Sequence, residues 1–101
     1  GTVGVRLPDD EEAREIVRAC GGALTATSAN PSGRPPARNA SEAADYFKDS
    51  LGLVLDGGEA RTLRPSTVLD VTGTIPRIIR EGVVSRVELE AELRRIGILL
   101  E

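Results

Sequence analysis

The sequence contains no histidine, no methionine and no tryptophan, and it has one cysteine and two aromatic residues among its 101 residues. Without histidine, a Ser-His-Asp triad, an imidazole general base and a histidine-containing zinc site are all excluded. One cysteine cannot form an internal disulfide or a cysteine-rich metal site. Any chemistry carried out by this chain must therefore use hydroxyls, carboxylates, guanidiniums and backbone groups.

Long hydrophobic runs are also missing. No apolar stretch approaches the roughly 20 residues that a membrane helix needs, and no signal-peptide pattern is present. The single Cys20 agrees with a reducing compartment. We therefore expect a cytoplasmic protein that does not enter a membrane.

The shortage of aromatics limits the core, which must be built from Val, Ile, Leu and Ala. A lone domain of this length is expected to bury roughly 65% of its unfolded surface. A strand pattern begins almost at once after Gly1, in residues 3–7. These features predict that the 101 residues are one portion of a longer single domain.

Basic and acidic side chains are nearly balanced: 13 basic and 16 acidic residues give a net charge of −3. This balance is not the footprint of a nucleic-acid-binding surface. Twelve of the basic residues are Arg and one is Lys. Arg is the better ligand for carboxylates and phosphates because of its planar fork, although a GC-rich genome produces the same bias.

Apolar spacing and turn residues predict a mixed α/β (α+β) domain with a twisted mixed sheet and flanking helices. A helix is expected from Asp10 to Cys20, a second one capped by Ser41, and a third that starts with the capping box Ser85 to Glu88. The predicted strands are residues 3–7, 23–27, 53–55, 66–71 and 76–80, the last two joined as a hairpin.

Three clusters of small polar and charged residues are candidates for chemistry: the loop of residues 25–35, residues 64–68 and residues 80–82. Hydroxyls, amides and free backbone N–H groups in such segments can hold phosphate or carboxylate oxygens. The alternative is that Ser, Asn, Pro and Gly serve only as turn formers. Arg6, within a predicted apolar strand, is expected to need an anionic partner, because burying a guanidinium alone is costly.

Five motifs, taken together, resemble those of the YrdC/TsaC-type threonylcarbamoyl-AMP synthases, in the same order and spacing. They are Thr2-Val3-Gly4-Val5-Arg6-Leu7-Pro8, Thr27-Ser28-Ala29-Asn30-Pro31-Ser32-Gly33, Asp56-Gly57-Gly58, Pro65-Ser66-Thr67-Val68-Leu69-Asp70 and Arg80-Glu81-Gly82. Five motifs in register are far more specific than any one of them. The resemblance covers the C-terminal half of the family's catalytic domain.

The resemblance implies a reaction of L-threonine, bicarbonate and ATP that gives threonylcarbamoyl-adenylate and pyrophosphate. Mg²⁺ accompanies the ATP. The product supplies the threonylcarbamoyl group for an adenosine of tRNA, so tRNA and the tRNA-modifying proteins of that pathway are the implied partners. The implied fold is a YrdC-like twisted mixed sheet with helices.

The resemblance also assigns site residues. It implies that Arg6 holds the threonine carboxylate, that Ser66 places a hydroxyl at the same ligand and that the main chain of Ala26 lies against it. The positions implied to contact ATP are Thr2, Ser28, Asn30, Pro36 and Arg80. Pro36 stands where the family often has Ser, so only a backbone contact is implied there.

The family's N-terminal half, with its Lys-x-Arg element, has no counterpart in this sequence. We therefore expect the isolated chain to have little or no synthase activity. Two alternatives stay open: a YrdC-like module that binds RNA or a nucleotide, and a domain of a carbamoyltransferase-type enzyme.

Overall fold

The computed structural model describes all residues 1–101 and contains three helices and one small sheet. The helices are α1 (Glu11–Ala19), α2 (Ala40–Phe47) and α3 (Arg86–Arg95), and the strands are β1 (Val68–Asp70) and β2 (Arg77–Arg80). A short 3₁₀ helix, Lys48–Ser50, follows α2. The presence of both helices and a sheet confirms the mixed α/β class.

The chain divides into two compact units. One consists of Val3–Leu63 and contains α1 and α2, and the other consists of Gly1–Thr2 together with Arg64–Glu101 and contains the sheet and α3. We call them the N-unit and the C-unit. The interpretation of residues 1–101 as a portion of a single domain stays a prediction.

Local capping signals explain where the helices begin. The Asp10 carboxylate accepts a hydrogen bond from the backbone N–H of Ala13 at 2.9 Å and caps α1. Helix α2 is capped by Asn39 and not by Ser41, because the Asn39 side chain accepts from the N–H of Glu42 at 2.9 Å. All three predicted helices are thereby confirmed, the second with an earlier cap.

The N-terminus of α3 carries the predicted capping box. The Ser85 hydroxyl accepts from the N–H of Glu88 at 3.3 Å, and the Glu88 carboxylate accepts from the N–H of Ser85 at 2.8 Å. Hydrogen bonds from the backbone and then the hydroxyl of Ser85 hold the pKa of Glu88 below its ordinary value. The box therefore depends on an ionised Glu88.

Strands β1 and β2 pair antiparallel, with Leu69 opposite Ile78 and Asp70 opposite Arg77. A register shift between Val68 and Leu69 marks a bulge. At the turn, the Asp70 carboxylate accepts from the hydroxyl of Thr72 at 2.7 Å and from its N–H at 2.9 Å. These bonds, with Arg77 as a weaker contributor, lower the pKa of Asp70. The predicted hairpin is confirmed.

The strands predicted for residues 3–7, 23–27 and 53–55 are wrong for this chain. The sheet has two strands, and no backbone hydrogen bond joins any of these three segments to another part of the chain. Their apolar patterns favour strands, but a strand forms only when a neighbouring strand takes up its N–H and C=O groups. The larger twisted mixed sheet therefore does not form within these residues.

Apolar side chains are poorly covered. Gly82 is the only buried residue, and the exposed fraction of Leu7 reaches 90%. The accessible surface is 8427 Å², whereas a folded protein of this mass exposes about 5,500 Å². Hydrogen bonds and short-range packing, and not a closed apolar core, therefore maintain the local structure. None of the helices has the length and apolar character needed to cross a membrane.

Candidate functional site

The predicted site residues are distributed over the two units. Arg6, Ala26, Ser28, Asn30 and Pro36 lie in the N-unit, whereas Thr2, Ser66 and Arg80 lie in the C-unit.

The N-unit loop of residues 28–37 is held by its own backbone. The N–H of Ala37 donates to the carbonyl of Ala29 at 2.8 Å, and the N–H of Arg34 donates to the carbonyl of Pro31 at 3.0 Å. The second bond closes a tight turn in which Gly33 has φ +80°, a conformation that favours glycine. Glycine and proline therefore give this loop a defined path.

Helix α2 fixes the outer part of this loop. The Tyr46 hydroxyl donates to the carbonyl of Pro35 at 2.8 Å, and the guanidinium of Arg34 lies 5.9 Å from the centre of the Tyr46 ring. Pro36, the next residue, is exposed. The backbone position that the resemblance assigns to Pro36 is thus connected to α2 through Tyr46.

Asn30 has unmet hydrogen-bonding capacity. Its Nδ2 donates to the carbonyl of Pro31 at 3.0 Å, but its Oδ1 is buried without a partner. A buried acceptor without a donor costs about 1–3 kcal/mol. Ser28 and Ala26, which precede it, are exposed. Asn30 is therefore the loop residue whose environment favours an added donor.

The loop also lies beside the third motif. A cavity of about 260 Å³ in the N-unit is lined by residues of both motifs, among them Ala29, Gly57 and Gly58. The turn at Asp56 is closed by its own carboxylate, which accepts from the N–H of Gly58 at 2.9 Å. Two motifs that are 23 or more residues apart in the sequence thus border one concave surface.

The environment of Arg6 differs from the one that the sequence predicts. It lies in a segment without regular secondary structure rather than in a strand, it is exposed, and it makes no ion pair or hydrogen bond. Because Arg6 is exposed, its guanidinium does not incur the cost of burial. The Arg6 guanidinium keeps all of its donors for a ligand.

In the C-unit, the structure brings Ser66 and Arg80 together. Arg80 donates from Nε at 3.2 Å and from Nη2 at 2.9 Å to the carbonyl oxygen of Ser66. A guanidinium has five N–H donors, so three remain for an anion. The Ser66 hydroxyl makes no hydrogen bond within the chain. Two of the three predicted C-unit residues thus form one site, whereas Thr2 is exposed and makes no such bond.

Sequence reasoning selected the segments of these two motifs but not the contact that joins them. Arg64 donates from Nη2 to the carbonyl of Gly82 at 2.8 Å, and the N–H of Val83 donates to the carbonyl of Pro65 at 3.0 Å. The Thr67 hydroxyl bonds to both Gly82 and Val84. The signal was present, since Arg64, Thr67 and Gly82 all stand inside the candidate clusters, but spacing alone does not show that the clusters meet.

Arg6 in the N-unit and Arg80 in the C-unit are each suited to binding an anion. Arg6 and Arg80 present guanidinium donors, with hydroxyl and amide groups nearby in sequence. No group of three or more Cys, Asp or Glu side chains is placed to bind a metal ion. Each guanidinium can bind a carboxylate or a phosphate group.

Comparisons with known proteins agree with the motifs. The Sua5/YciO/YrdC family, described as telomere recombination, matches residues 1–82. The threonylcarbamoyl-AMP synthase of Cellvibrio japonicus is 40% identical over 77 residues, which are 75% of this chain and 41% of that protein. The proteins of the same name from Pyrococcus abyssi and Bacillus subtilis are 35% and 32% identical over 97 residues, 96% of this chain and 28% of each relative.

The chain thus spans between 28% and 41% of the length of these relatives. No solved structure was found that matches it. The family match extends over four fifths of the residues and includes all five motifs. This chain belongs to the Sua5/YciO/YrdC family.

Proposed function

We propose that this chain is the C-terminal portion of a threonylcarbamoyl-AMP synthase domain, which joins L-threonine, bicarbonate and ATP into threonylcarbamoyl-adenylate and pyrophosphate. The observation that carries the proposal is that the Arg80 guanidinium donates two hydrogen bonds to the Ser66 carbonyl and keeps three N–H donors for an anion. Relatives named threonylcarbamoyl-AMP synthase support the same reaction. A cytoplasmic location and a role in tRNA threonylcarbamoyladenosine formation are part of this proposal.

The proposed roles of the individual residues are those that the family resemblance implies. Arg6 offers a planar fork to the threonine carboxylate, with the Ser66 hydroxyl and the main chain of Ala26 against the same ligand. Arg80 faces the nucleotide, where negative charge develops on the phosphates as pyrophosphate leaves. Thr2, Ser28, Asn30 and the backbone at Pro36 are the further contacts proposed for ATP.

Catalysis in this proposal consists of positioning. The carbamate of threonine supplies the nucleophilic oxygen, ATP supplies the electrophilic phosphorus, and pyrophosphate is the leaving group. Holding both reactants in line converts their encounter into an intramolecular step, so no histidine base is required. Mg²⁺ enters with the ATP as part of the substrate and neutralises phosphate charge.

Binding to the chain itself tests this proposal. We expect L-threonine to shift the NMR signals of residues around Arg6, and MgATP to shift the side-chain Nε signal of Arg80. Arg6→Ala should weaken threonine binding more than MgATP binding, and Arg80→Ala the reverse. Arg95, whose guanidinium is paired with Glu92 on α3, provides the control variant Arg95→Ala, which should change neither.

If Arg6→Ala and Arg80→Ala each weakened the binding of threonine and of MgATP to the same extent, the assigned roles would be contradicted. A pyrophosphate-release assay with threonine, bicarbonate and ATP provides the second measurement. We expect little or no turnover, because the chain spans at most 41% of the relatives considered above. Robust turnover by the 101 residues would show that the remaining length is not needed for chemistry.

A further inference from the structure

Ser66 and Thr67 are adjacent hydroxyl residues with opposite hydrogen-bonding states. Both are half-buried. The Ser66 hydroxyl makes no hydrogen bond, whereas the Thr67 hydroxyl makes three. The first is therefore available to a ligand, and the second is not.

The three bonds of Thr67 use its full capacity. Its Oγ1 accepts from the N–H of Gly82 at 2.9 Å and from the N–H of Val84 at 3.1 Å, and it donates to the carbonyl of Val84 at 2.5 Å. A hydroxyl has one proton to donate and two lone pairs to accept with. Thr67 thus joins the segment before β1 to the segment after β2 without any group left for a substrate.

These bonds lie next to the Arg80 contact in both segments. Arg80 is two residues before Gly82, and the carbonyl that receives its guanidinium belongs to Ser66, next to Thr67. Movement of one segment against the other would therefore turn the guanidinium away from the direction fixed by the Ser66 carbonyl. Thr67 is one of the residues that set the distance between the two segments, together with the bonds from Arg64 to Gly82 and from Val83 to Pro65.

We propose that Thr67 is a positioning residue, whose hydroxyl fixes the direction in which Arg80 presents its free donors to an anion. The proposal rests on the anion-binding role of Arg80 given above. Without the hydroxyl, two N–H groups and one carbonyl lose their partner. The β1–β2 hairpin and α3 should remain, since their own hydrogen bonds do not include Thr67.

The experiment compares Thr67→Val, which keeps the shape and removes the hydroxyl, with Thr67→Ser, which keeps the hydroxyl. Thr74→Val is the matched control, because Thr74 lies in the turn between β1 and β2 and makes no hydrogen bond. Three quantities are measured on the full 101-residue chain: the rate of amide exchange at Val84, the NMR signal of Arg80 Nε–H and the affinity for inorganic pyrophosphate. In Thr67→Val, exchange at Val84 should accelerate and pyrophosphate affinity should fall, each about tenfold.

The proposal is supported if Thr67→Ser restores both the exchange rate at Val84 and the pyrophosphate affinity, and if Thr74→Val changes neither. An unchanged Arg80 Nε–H signal and unchanged pyrophosphate affinity in Thr67→Val would overturn it, even if exchange at Val84 increases, because Thr67 would then stabilise the fold only. If the unmodified chain does not bind pyrophosphate, the proposed anion role of Arg80 fails. The Arg80 Nε–H signal alone would then decide whether Thr67 orients it.

Discussion

Replacing Gly82 with alanine should open the contact between residues 64–67 and 82–84. A Cβ at this position would lie 2.5 Å from the carbonyl carbon and 2.7 Å from the carbonyl oxygen of Ser66, and closer still to the carbonyl oxygen of Pro65. Ordinary contacts of a Cβ begin at 3.4 Å. Because the neighbouring atoms are backbone, the two segments must separate by about 1 Å.

That separation would break hydrogen bonds as well as create strain. The N–H of Gly82 donates to Thr67 at 2.9 Å and its carbonyl accepts from Arg64 at 2.8 Å. Overpacking costs about 1–3 kcal/mol, and each lost hydrogen bond about 0.5–1.5 kcal/mol. We expect the free energy of local opening to fall by about 2–4 kcal/mol, allowing for partial relaxation.

Amide hydrogen exchange is the suitable assay, because a chain without a closed core need not unfold in one cooperative step. The N–H groups of Val83 and Val84, bonded to Pro65 and Thr67, should exchange at least about thirtyfold faster in Gly82→Ala. Gly52→Ala is the control, since nothing lies within 4 Å of its added Cβ. Unchanged protection in Gly82→Ala would refute the reasoning.

Two further predictions concern pH and the N-unit loop. Because the capping box lowers the pKa of Glu88 in the folded state below its ordinary 4.5, its contribution is complete at neutral pH. It is lost as the pH falls through the lowered pKa. The helical circular dichroism signal should therefore decline in this range, and Glu88→Gln should abolish that part of the decline. Tyr46→Phe keeps the ring but removes the hydrogen bond to Pro35, so the N–H of Ala37 should exchange several-fold faster; equal exchange would contradict a role for the hydroxyl.

The helices and the hairpin were predictable because their signals are local. The capping box at Ser85 and the turn at Thr72 each involve residues within four positions of one another. The sequence predicts Ser41 as the cap of α2 whereas the structure has Asn39, since both are good caps and only the backbone path selects between them. Local sequence signals therefore predict whether a segment is a helix or a strand more accurately than they predict the residue at which it begins or ends.

Local sequence patterns did not predict which segments form strands or which motifs contact each other. Residues 3–7 have a strand pattern, yet pairing depends on a neighbour that no local pattern specifies. Likewise, Arg80 and Ser66 were both selected from the sequence, but their contact depends on the β1–β2 register. The role of Thr67 follows only from that contact.

The unpaired segment of residues 3–7 has a practical consequence for handling the chain in solution. Val3, Val5 and Leu7 are 84%, 78% and 90% exposed, and their alternation would place them on one side of a strand if the segment paired with another chain. Such a stretch is a template for intermolecular β-pairing, and Arg6 within it is the charge that opposes this association. Arg6→Ala therefore removes a solubilising charge together with a ligand donor. Its binding measurements should be made at several dilutions and checked by light scattering, so that aggregation is not mistaken for lost affinity.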